Sequence, residues 1–386
     1  MPSNLVVSTV GASLLLNYLK PEENTTWRKR LTDASNFTSS EMEEDNELYQ
    51  MLLTLHDRAQ EKLSAGPVDS IRRASAELNG IYGLYNGQID RGRDDFHFLI
   101  ATDTEQGRFS AELVQWHLCK NCGFKSVEIY RPKGLSTRNT ASFSAGIKDL
   151  IGWCEATLPG YRDSGYRIIF NLTGGFKSLQ GYLNTIGMFY ADEMVYIFEG
   201  AGGGLIRIPR LPVSVDVNQI RERAAGIALL AAEVAARYPA ALVKQWDVPE
   251  SFIEEYSDGV AVSTWGKLVW NRVKDSTLTE LLEFPRIDYS PDFRREFRSA
   301  SAKDQIEWSL MLAKVSALLE INDGNVAPLK AHGGLQYDNY VNRRTENLEP
   351  IGHFRLNQAA RVSCVALGGR LKLRHIGAHD YVNDNP

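Results

Sequence analysis

Residues 168–178 read Ile-Ile-Phe-Asn-Leu-Thr-Gly-Gly-Phe-Lys-Ser, and they carry the strongest structural signal in the chain. A short apolar run leads into a turn, after which apolar residues recur at helical spacing. This pattern predicts a buried parallel strand that runs into a helix. Gly174 and Gly175 allow a tight turn and a close approach of the backbone to a ligand. The helix N-terminus and Lys177 favour an anionic ligand at the carboxyl end of the strand.

A second element of the same kind lies at the start of the chain, where the strand residues Leu5-Val6-Val7 lead through a small polar turn into a helix beginning near Leu14. Two such turns at the carboxyl ends of one sheet can line a common crevice. Neither has the GxxxxGK[ST] or the GxGxxG spacing, so an ordinary triphosphate or dinucleotide is not the expected ligand. The candidate binding residues are Ser8, Thr9, Gly11, Ser13, Thr173, Gly174, Gly175, Phe176 and Lys177.

Length and composition predict two or three domains in the 386 residues. No apolar run approaches the ~20 residues of a membrane span, and no signal peptide precedes the first strand. We therefore expect a cytoplasmic protein that does not contact a membrane. Residues 284–386 contain 14 Lys and Arg against 12 Asp and Glu, while the whole chain has a net charge of −5. A mildly basic tail on an acidic body hints at an anionic partner for the tail.

The hydrophobic pattern divides the chain into three predicted domains. Residues 1–213 alternate strands and helices, which is typical of a doubly wound, Rossmann-like α/β domain. We predict strands at 96–101, 126–130, 195–198 and 205–208, the last two joined by a glycine-rich, hairpin-like connection at 200–204. Helices are predicted at 48–63, 71–79, 111–119 and 143–157, and a loop or loosely packed helix at 21–47.

The remaining residues are predicted to form a connector and a small C-terminal domain. Residues 214–283 should form a mainly helical, winged-helix-like linker with helices at 220–238, 249–256 and 264–273 and a small strand at 260–262. Its charges are scattered, which favours a structural connector over a DNA-binding module. Residues 284–386 should form a small α+β domain. Its predicted elements are a strand at 287–290, helices at 291–301 and 303–320, and strands at 351–356, 361–367 and 371–376, with a tight turn at Gly368 and Gly369.

The candidate catalytic residues lie in this last domain. His353 and Arg355 are two apart on one predicted strand and so face the same side. Arg361 begins the next strand, and His379 and Tyr381 follow the last one. Such a set suits RNA cleavage by attack of a 2′-hydroxyl on its own phosphate, with proton transfers at both oxygens and guanidiniums stabilising the phosphorane, and no metal is required. The alternative is an ordinary exposed sheet face with polar residues at alternate positions.

The first ~213 residues resemble the CARF family, the sensor domain of type III CRISPR accessory effectors. The resemblance is carried by Ser8–Ser13, by Thr102-Asp103-Thr104 with Gly107, by Asn171–Lys177, and by Glu199-Gly200 with Ile208-Pro209. It implies a homodimer whose two crevices join into one site for a cyclic oligoadenylate. Cyclic tetra-adenylate is the expected activator and the hexamer is the second choice. The glycine turns and Lys177 would meet its phosphates.

Residues ~284–386 resemble the RelE family of toxins, which cleave mRNA in the ribosomal A site. The order of elements agrees, and so does the ending Leu373-Arg374-His375-Ile376-Gly377-Ala378-His379-Asp380-Tyr381. The resemblance places Arg361 at the family's arginine and His353 and Arg355 where basic residues are usual. His379 stands where arginine or histidine is usual, and Tyr381 stands at the aromatic position.

Together these observations predict a signal-gated, ribosome-dependent mRNA endoribonuclease of CRISPR antiviral defence. Its expected partners are a second copy of the chain, a cyclic oligoadenylate, the ribosome and mRNA. The alternative class is a CARF-sensor transcription regulator that binds DNA through the middle segment and dimerises through the tail. That alternative would require a basic recognition helix between residues 220 and 273. A third option is cleavage of the activator within the crevice, for which no particular residue argues.

Overall fold

The computed structural model describes residues 3–198 and 204–386. The chain divides into two compact units, Met1–Val213 and Ser214–Pro386. The first boundary coincides with the division predicted after residue 213, whereas the division predicted after residue 283 falls inside the second unit. Within the two described ranges, no helix is both long enough and apolar enough to cross a membrane.

The first unit is built on a six-stranded sheet in the order β3-β2-β1-β4-β5-β6. The first five strands are parallel and β6 runs antiparallel to β5. This confirms a mixed α/β fold with a parallel sheet. Residues 199–203, which include most of the predicted glycine-rich connection and Glu199-Gly200 of the family resemblance, lie outside the described residues. The strands are β1 Asn4–Thr9, β2 Phe96–Ile100, β3 Ser126–Tyr130, β4 Arg167–Asn171, β5 Glu193–Ile197 and β6 Leu205–Pro209.

Helices pack on both faces of this sheet. On one face Leu84 packs against Val6, Ile169 and Val195. On the other face the Trp153 ring lies 4.9 Å from that of Tyr130. The helices are α1 Ser13–Leu16, α2 Thr26–Asp33, α3 Ser39–Glu44, α4 Asn46–Ala65, α5 Val68–Ala74, α6 Ala76–Leu84, α7 Glu105–Trp116, α8 Thr140–Asp163 and α9 Lys177–Tyr190.

One prediction in this unit is settled between its alternatives and another is wrong. The segment 21–47, predicted as a loop or a loosely packed helix, is mainly helical and contains α2, α3 and the start of α4. The single helix predicted at 71–79 is two helices separated at Ser75. Ser75 has extended backbone and its hydroxyl accepts a hydrogen bond from the Leu78 N–H at 3.1 Å, so it caps α6 and ends the continuous helix.

The second unit begins with a helical segment that carries a two-stranded hairpin. The helix predicted at 220–238 is interrupted after Arg221 and ends at Ala231, because Glu233 adopts a left-handed backbone (φ +48°) and Tyr238 bridges to Val260. The helix predicted at 249–256 is wrong, since Glu250–Phe252 forms a 3₁₀ turn and the next residues form a strand. The elements are α10 Val217–Arg221, α11 Ala224–Ala231, α12 Ala240–Gln245, β7 Ile253–Tyr256, β8 Gly259–Val262 and α13 Thr264–Thr277.

The rest of the second unit is a five-stranded sheet in the order β10-β11-β12-β13-β9, with most of its helices packed on one face. Gly368 and Gly369 both have positive φ (58° and 73°), as the predicted tight hairpin between β12 and β13 requires. Strand β10 and helices α16 and α17 were not predicted. The elements are β9 Ile287–Tyr289, α14 Pro291–Ser299, α15 Ala302–Ile321, α16 Ala327–Ala331, β10 Asp338–Arg344, β11 Pro350–Arg355, β12 Ala360–Leu367, β13 Arg370–Ala378 and α17 His379–Asp384.

One hydrophobic core runs through the whole second unit. It contains Ile227 and Leu230 of α11 together with Leu312 of α15 and Phe354 of β11. At its edge the Trp246 Nε1–H donates to Glu320 Oε2 at 3.1 Å. The helical segment and the five-stranded sheet are therefore packed against each other as a single body.

Candidate functional site

The two predicted turns meet at the carboxyl ends of the neighbouring strands β1 and β4, and we call the surface that they form the glycine crevice. The Thr9 hydroxyl donates to the Gly174 carbonyl oxygen at 2.6 Å. A Cβ atom at Gly11 would lie 3.3 Å from the Gly175 backbone nitrogen. The turns are therefore in direct contact, as the sequence pattern predicts.

Glycine is required in this contact. A Cβ atom at Gly174 would stand 2.5 Å from the Thr9 carbonyl oxygen and 2.7 Å from Glu77 Oε2, where there is no room for it. Gly175 has φ +83°, a left-handed conformation that other residues adopt at a cost. The backbone can take this path only because both positions lack a side chain.

Several predicted binding residues are occupied within the protein. Ser8 and Thr9 are fully buried. The Ser8 hydroxyl accepts a hydrogen bond from Asn171 Nδ2 at 3.2 Å, and the Thr173 hydroxyl donates to Asn171 Oδ1 at 2.8 Å. These side chains fasten the turns to each other. The predicted binding residues that keep accessible surface are Gly11, Ser13, Thr173, Gly175, Phe176 and Lys177.

Glu77 is a crevice residue that sequence reasoning missed. It lies in the first turn of α6 and is fully buried, and burial raises the pKa of its carboxyl to about 7. Within the described ranges neither carboxyl oxygen accepts a hydrogen bond of good geometry, although the Ser75 hydroxyl and the Gly11 N–H lie nearby. A protonatable group thus stands directly beneath the glycine turns.

The segment Thr102–Gly107 of the family resemblance also lies at this edge, after β2. The Thr104 hydroxyl accepts from the Gly107 N–H at 3.1 Å and caps α7. Asp103 accepts from the Gly134 N–H at 2.9 Å and from Arg131 at 3.2 Å. The segment therefore acts as a helix cap and ties the turn after β2 to the loop after β3.

Most of the candidate catalytic residues of the second unit lie on the sheet face opposite α15, which we call the polar sheet face. His353 pairs with Ser363 across β11 and β12, and Arg355 pairs with Arg361. The residues between them, Phe354 and Val362, point into the core. As predicted, His353 and Arg355 share one side, and the strand pairing brings Arg361 to the same place.

A hydrogen-bond network links this face to α17. Asn383 Oδ1 accepts from the Tyr340 hydroxyl at 2.8 Å and from Arg361 Nη1 at 3.4 Å. The Asn383 amide nitrogen lies 3.3 Å from His379 Nδ1, and the Tyr340 ring is centred 4.4 Å from that of His353. The structure therefore brings His353, Arg361 and His379 together, with Tyr340 and Asn383 as partners that sequence reasoning missed.

Burial and the neighbouring side chains favour the neutral form of His353. Burial is the largest cause of the lowered pKa of its imidazole; Arg361 and His379 lower this pKa further, while Asp338 raises it. A neutral imidazole can accept a proton at physiological pH. Arg355 and Arg361 remain partly exposed next to it, so a phosphate could reach both a base and two guanidiniums on this face.

Tyr381 belongs to a second cluster on the adjoining edge. Its hydroxyl donates to Glu296 Oε1 at 2.6 Å, and the same oxygen lies 2.8 Å from His375 Nδ1. The other Glu296 oxygen accepts from the Ile376 N–H at 2.9 Å. Glu296 raises the pKa of the Tyr381 phenol because its carboxylate accepts a hydrogen bond from the phenol O–H. Glu296 fixes the orientation of both rings.

His375 is also new to the site, and the sequence did contain a signal for it. The shift in strand pairing between Ser363 and Cys364 leaves Arg374 as the bulged residue and sets His375 opposite Ser363. His353 and His375 therefore flank Ser363 on the same face. Two consecutive polar residues, Arg374 and His375, interrupt the alternation of β13 and mark the bulge.

Fold and site together define a mixed α/β protein with a glycine-lined crevice in one unit and a polar, His- and Arg-bearing sheet face in the other. Residues 72–211 match the model of a family described as CRISPR-associated protein (Cas_APE2256). The matched span covers a little over a third of the chain and includes the turn at Gly174 and Gly175. The match supports a link between this protein and CRISPR systems. It does not extend to the polar sheet face.

Proposed function

We propose that the protein is an mRNA endoribonuclease of type III CRISPR defence that is switched on by a cyclic oligoadenylate. In this proposal the first unit is a CARF sensor that dimerises and binds cyclic tetra-adenylate, or the hexamer as second choice. The second unit joins a winged-helix-like segment to a RelE-like domain that cleaves mRNA in the ribosomal A site. The ligand activates by binding the competent state more tightly than the resting state.

The observation that carries the catalytic half is the convergence of His353, Arg355 and Arg361 on one sheet face. In the proposed reaction His353 takes the proton of the 2′-hydroxyl, whose oxygen attacks the adjacent phosphorus. The bond from phosphorus to the 5′ oxygen then breaks, and the leaving oxygen takes a proton from a second group, for which His379 is placed. Arg355 and Arg361 stabilise the phosphorane charge. The products are a 2′,3′-cyclic phosphate and a free 5′-hydroxyl.

The sensor half is supported by the crevice and by the family match. The crevice joins two backbone turns, the N-terminus of α9 and the exposed cation Lys177, all of which suit a phosphate ligand. The match to a CRISPR-associated family covers the turn at its centre. A two-fold dimer would place two such crevices around one symmetric ring.

The competing regulator hypothesis fits the charges of the second unit less well. The β7–β8 hairpin carries Glu254 and Glu255, and Asp258 lies in its turn, paired with Arg237. An acidic hairpin would be repelled by the phosphate backbone of DNA. The helical segment is moreover packed on α15 through the shared core, which suits a connector that transmits a signal to the sheet.

The test is a translation reaction in which mRNA 5′ ends are mapped with and without cyclic tetra-adenylate. We expect new ends within the A-site codon only when ribosomes, activator and protein are all present. Arg361→Ala should abolish them without affecting activator binding, and Lys177→Glu should abolish them by preventing activator binding. Intact mRNA together with sequence-specific binding to duplex DNA would refute the proposal in favour of the regulator.

A further inference from the structure

A cavity of about 550 Å³ opens at the amino-terminal edge of the first unit's sheet, at the opposite end of the strands from the glycine crevice. Its floor is formed by Val6 of β1 and Ile169 of β4, which are paired neighbours. Asn4 and Arg167, the first residues of the same strands, continue the floor to the edge. The volume is sufficient for a small organic ligand.

The sheet face that forms this floor is covered only in part. A Cβ atom at Gly80 of α6 would touch Asn171 at the carboxyl end of β4, whereas Leu84 at the other end of the helix reaches Val6 and Ile169. Beyond Leu84 the helix ends. The amino-terminal part of the face is therefore left open, and it carries polar and charged residues where a covered sheet face would carry apolar ones.

Two guanidiniums are held rigidly at this end. Glu193, paired with Ile169 on the same face, is only 5% exposed and binds Arg167 Nη2 at 2.8 Å and Arg207 Nη1 through a short contact. Both arginine side chains keep nearly half of their surface accessible and line the cavity. A guanidinium has five N–H donors, so donors remain for an anion.

A third cation and a buried carboxylate complete the walls. Arg91 lies in the 3₁₀ turn Ile89–Gly92 and makes no ion pair with any residue that the structure describes. Asp95 is 7% exposed and accepts from Asn4 N at 2.8 Å, Asn4 Nδ2 at 2.8 Å and the Tyr85 hydroxyl at 3.0 Å. The Tyr85 hydroxyl in turn lies 3.0 Å from His97 Nε2.

This arrangement gathers three guanidiniums and a hydrogen-bonded carboxylate around an apolar floor. Each of these groups in the cavity suits a different chemical group of the same ligand. The arginines suit a phosphate, the apolar floor suits a flat base, and the remaining lone pair of Asp95 suits a sugar hydroxyl. We propose that this cavity binds a mononucleotide and that it is a site separate from the glycine crevice.

The test uses the full-length protein with adenosine 5′-monophosphate as the probe in isothermal titration calorimetry. We expect saturable binding that Arg91→Glu weakens at least tenfold and that Asp95→Asn weakens severalfold. Lys29→Glu, the same charge reversal on exposed helix α2, should leave the affinity unchanged. Lys177→Glu should also leave it unchanged, which separates this site from the crevice and from the function proposed above.

Two further ligands test which groups of the cavity contact the phosphate and which contact the base and sugar. Adenosine and inorganic phosphate should each bind at least tenfold more weakly than the nucleotide, since each makes only part of the contacts. Phosphate that binds as tightly as the nucleotide would overturn the assignment of a base to the apolar floor. The absence of saturable binding, or an affinity that Arg91→Glu does not change, would overturn the site itself.

Discussion

The glycine crevice and the polar sheet face are both polar surfaces, but backbone turns form the first and outward-pointing side chains form the second. At the crevice the polar side chains of Ser8, Thr9 and Asn171 are buried and hold the backbone turns in place. At the sheet face the strands supply a regular support, and side chains such as Arg355 and Arg361 point outward from it.

The contrast has a physical consequence. Where the backbone forms the surface, a substitution acts through the shape of the turn, so ligand affinity and fold stability should change together. Where outward side chains form the surface, a substitution removes a chemical group and leaves the support intact. Activity should then fall while the free energy of unfolding stays constant.

Arg361→Ala should lower activator-dependent mRNA cleavage by about 100- to 1000-fold, the usual loss when a donor to a developing oxyanion is removed. Its unfolding free energy should change by less than about 0.5 kcal/mol, because the side chain is partly exposed on the strand surface. Lys372→Ala, an exposed cation at the other end of the same sheet, is the matched control. Comparable losses in both variants would show that general positive charge, and not position, matters.

Glu77→Gln should change the pH dependence of stability more than any other single change at the crevice. The folded-state pKa of about 7 lies above the value near 4.3 of an unfolded chain. Because the folded pKa is raised, the associated stability is fully present below about pH 4.3 and is lost as the pH rises through 7. We expect a loss on the order of 3 kcal/mol over this range in the native sequence.

Urea unfolding at several pH values between 4 and 8 measures this slope. The glutamine variant should show a flatter profile, and the exposed Glu43→Gln should behave like the native sequence. Profiles that coincide for all three proteins would mean that Glu77 ionises freely, and that the carboxyl is hydrated in solution.

Gly174→Ala should lower both stability and ligand affinity, since its Cβ would overlap the Thr9 carbonyl oxygen. Forcing a methyl group into a packed site costs roughly 1–3 kcal/mol. Gly181→Ala in α9 is the control, because its Cβ would meet nothing within 4 Å beyond the helix's own backbone, and alanine favours the helix. Affinity for cyclic tetra-adenylate that survived in Gly174→Ala would place the ligand away from these turns.

The sequence correctly predicted the strands and turns that depend only on residues close together in the chain. Short apolar runs followed by Gly174 and Gly175, or by Gly368 and Gly369, predicted strands and turns in each of the two units. It missed β10 because Asp338–Arg344 is an edge strand, largely exposed, and therefore lacks apolar alternation. It extended the helix at 220–238 too far because the break depends on the distant pairing of Tyr238 with Val260.

The sequence analysis missed Glu77 and Glu296 because their roles also depend on residues that are distant in the chain. Glu77 and Glu296 both lie on short helices, where a glutamate is most simply interpreted as a solvent-facing residue. Their importance comes from contacts with residues about 80 to 97 positions away: Gly174 for Glu77, and His375 and Tyr381 for Glu296. Periodicity reports which face of an element is apolar, but it carries no information about which distant element will cover a polar position.

Glu296 gives the smallest expected effect and the sharpest test of the contrast, because it supports the sheet face from the helix side. Glutamine in its place keeps one oxygen for Tyr381 and His375 but turns an N–H₂ group toward the Ile376 N–H, where an acceptor is needed. We expect about a tenfold loss of cleavage, which is typical when the group that orients a functional side chain is altered.

If the carboxylate acts by orienting Tyr381, then Tyr381→Phe should cause a similar loss and the double variant should lose little more. Losses that multiply in the double variant would show that Glu296 acts through His375 or through the fold instead. The exposed Glu346→Gln serves as the control for the change of charge. A drop in unfolding free energy as large as the drop in activity would place Glu296 with the backbone-supporting residues of the crevice and erase the distinction between the two surfaces.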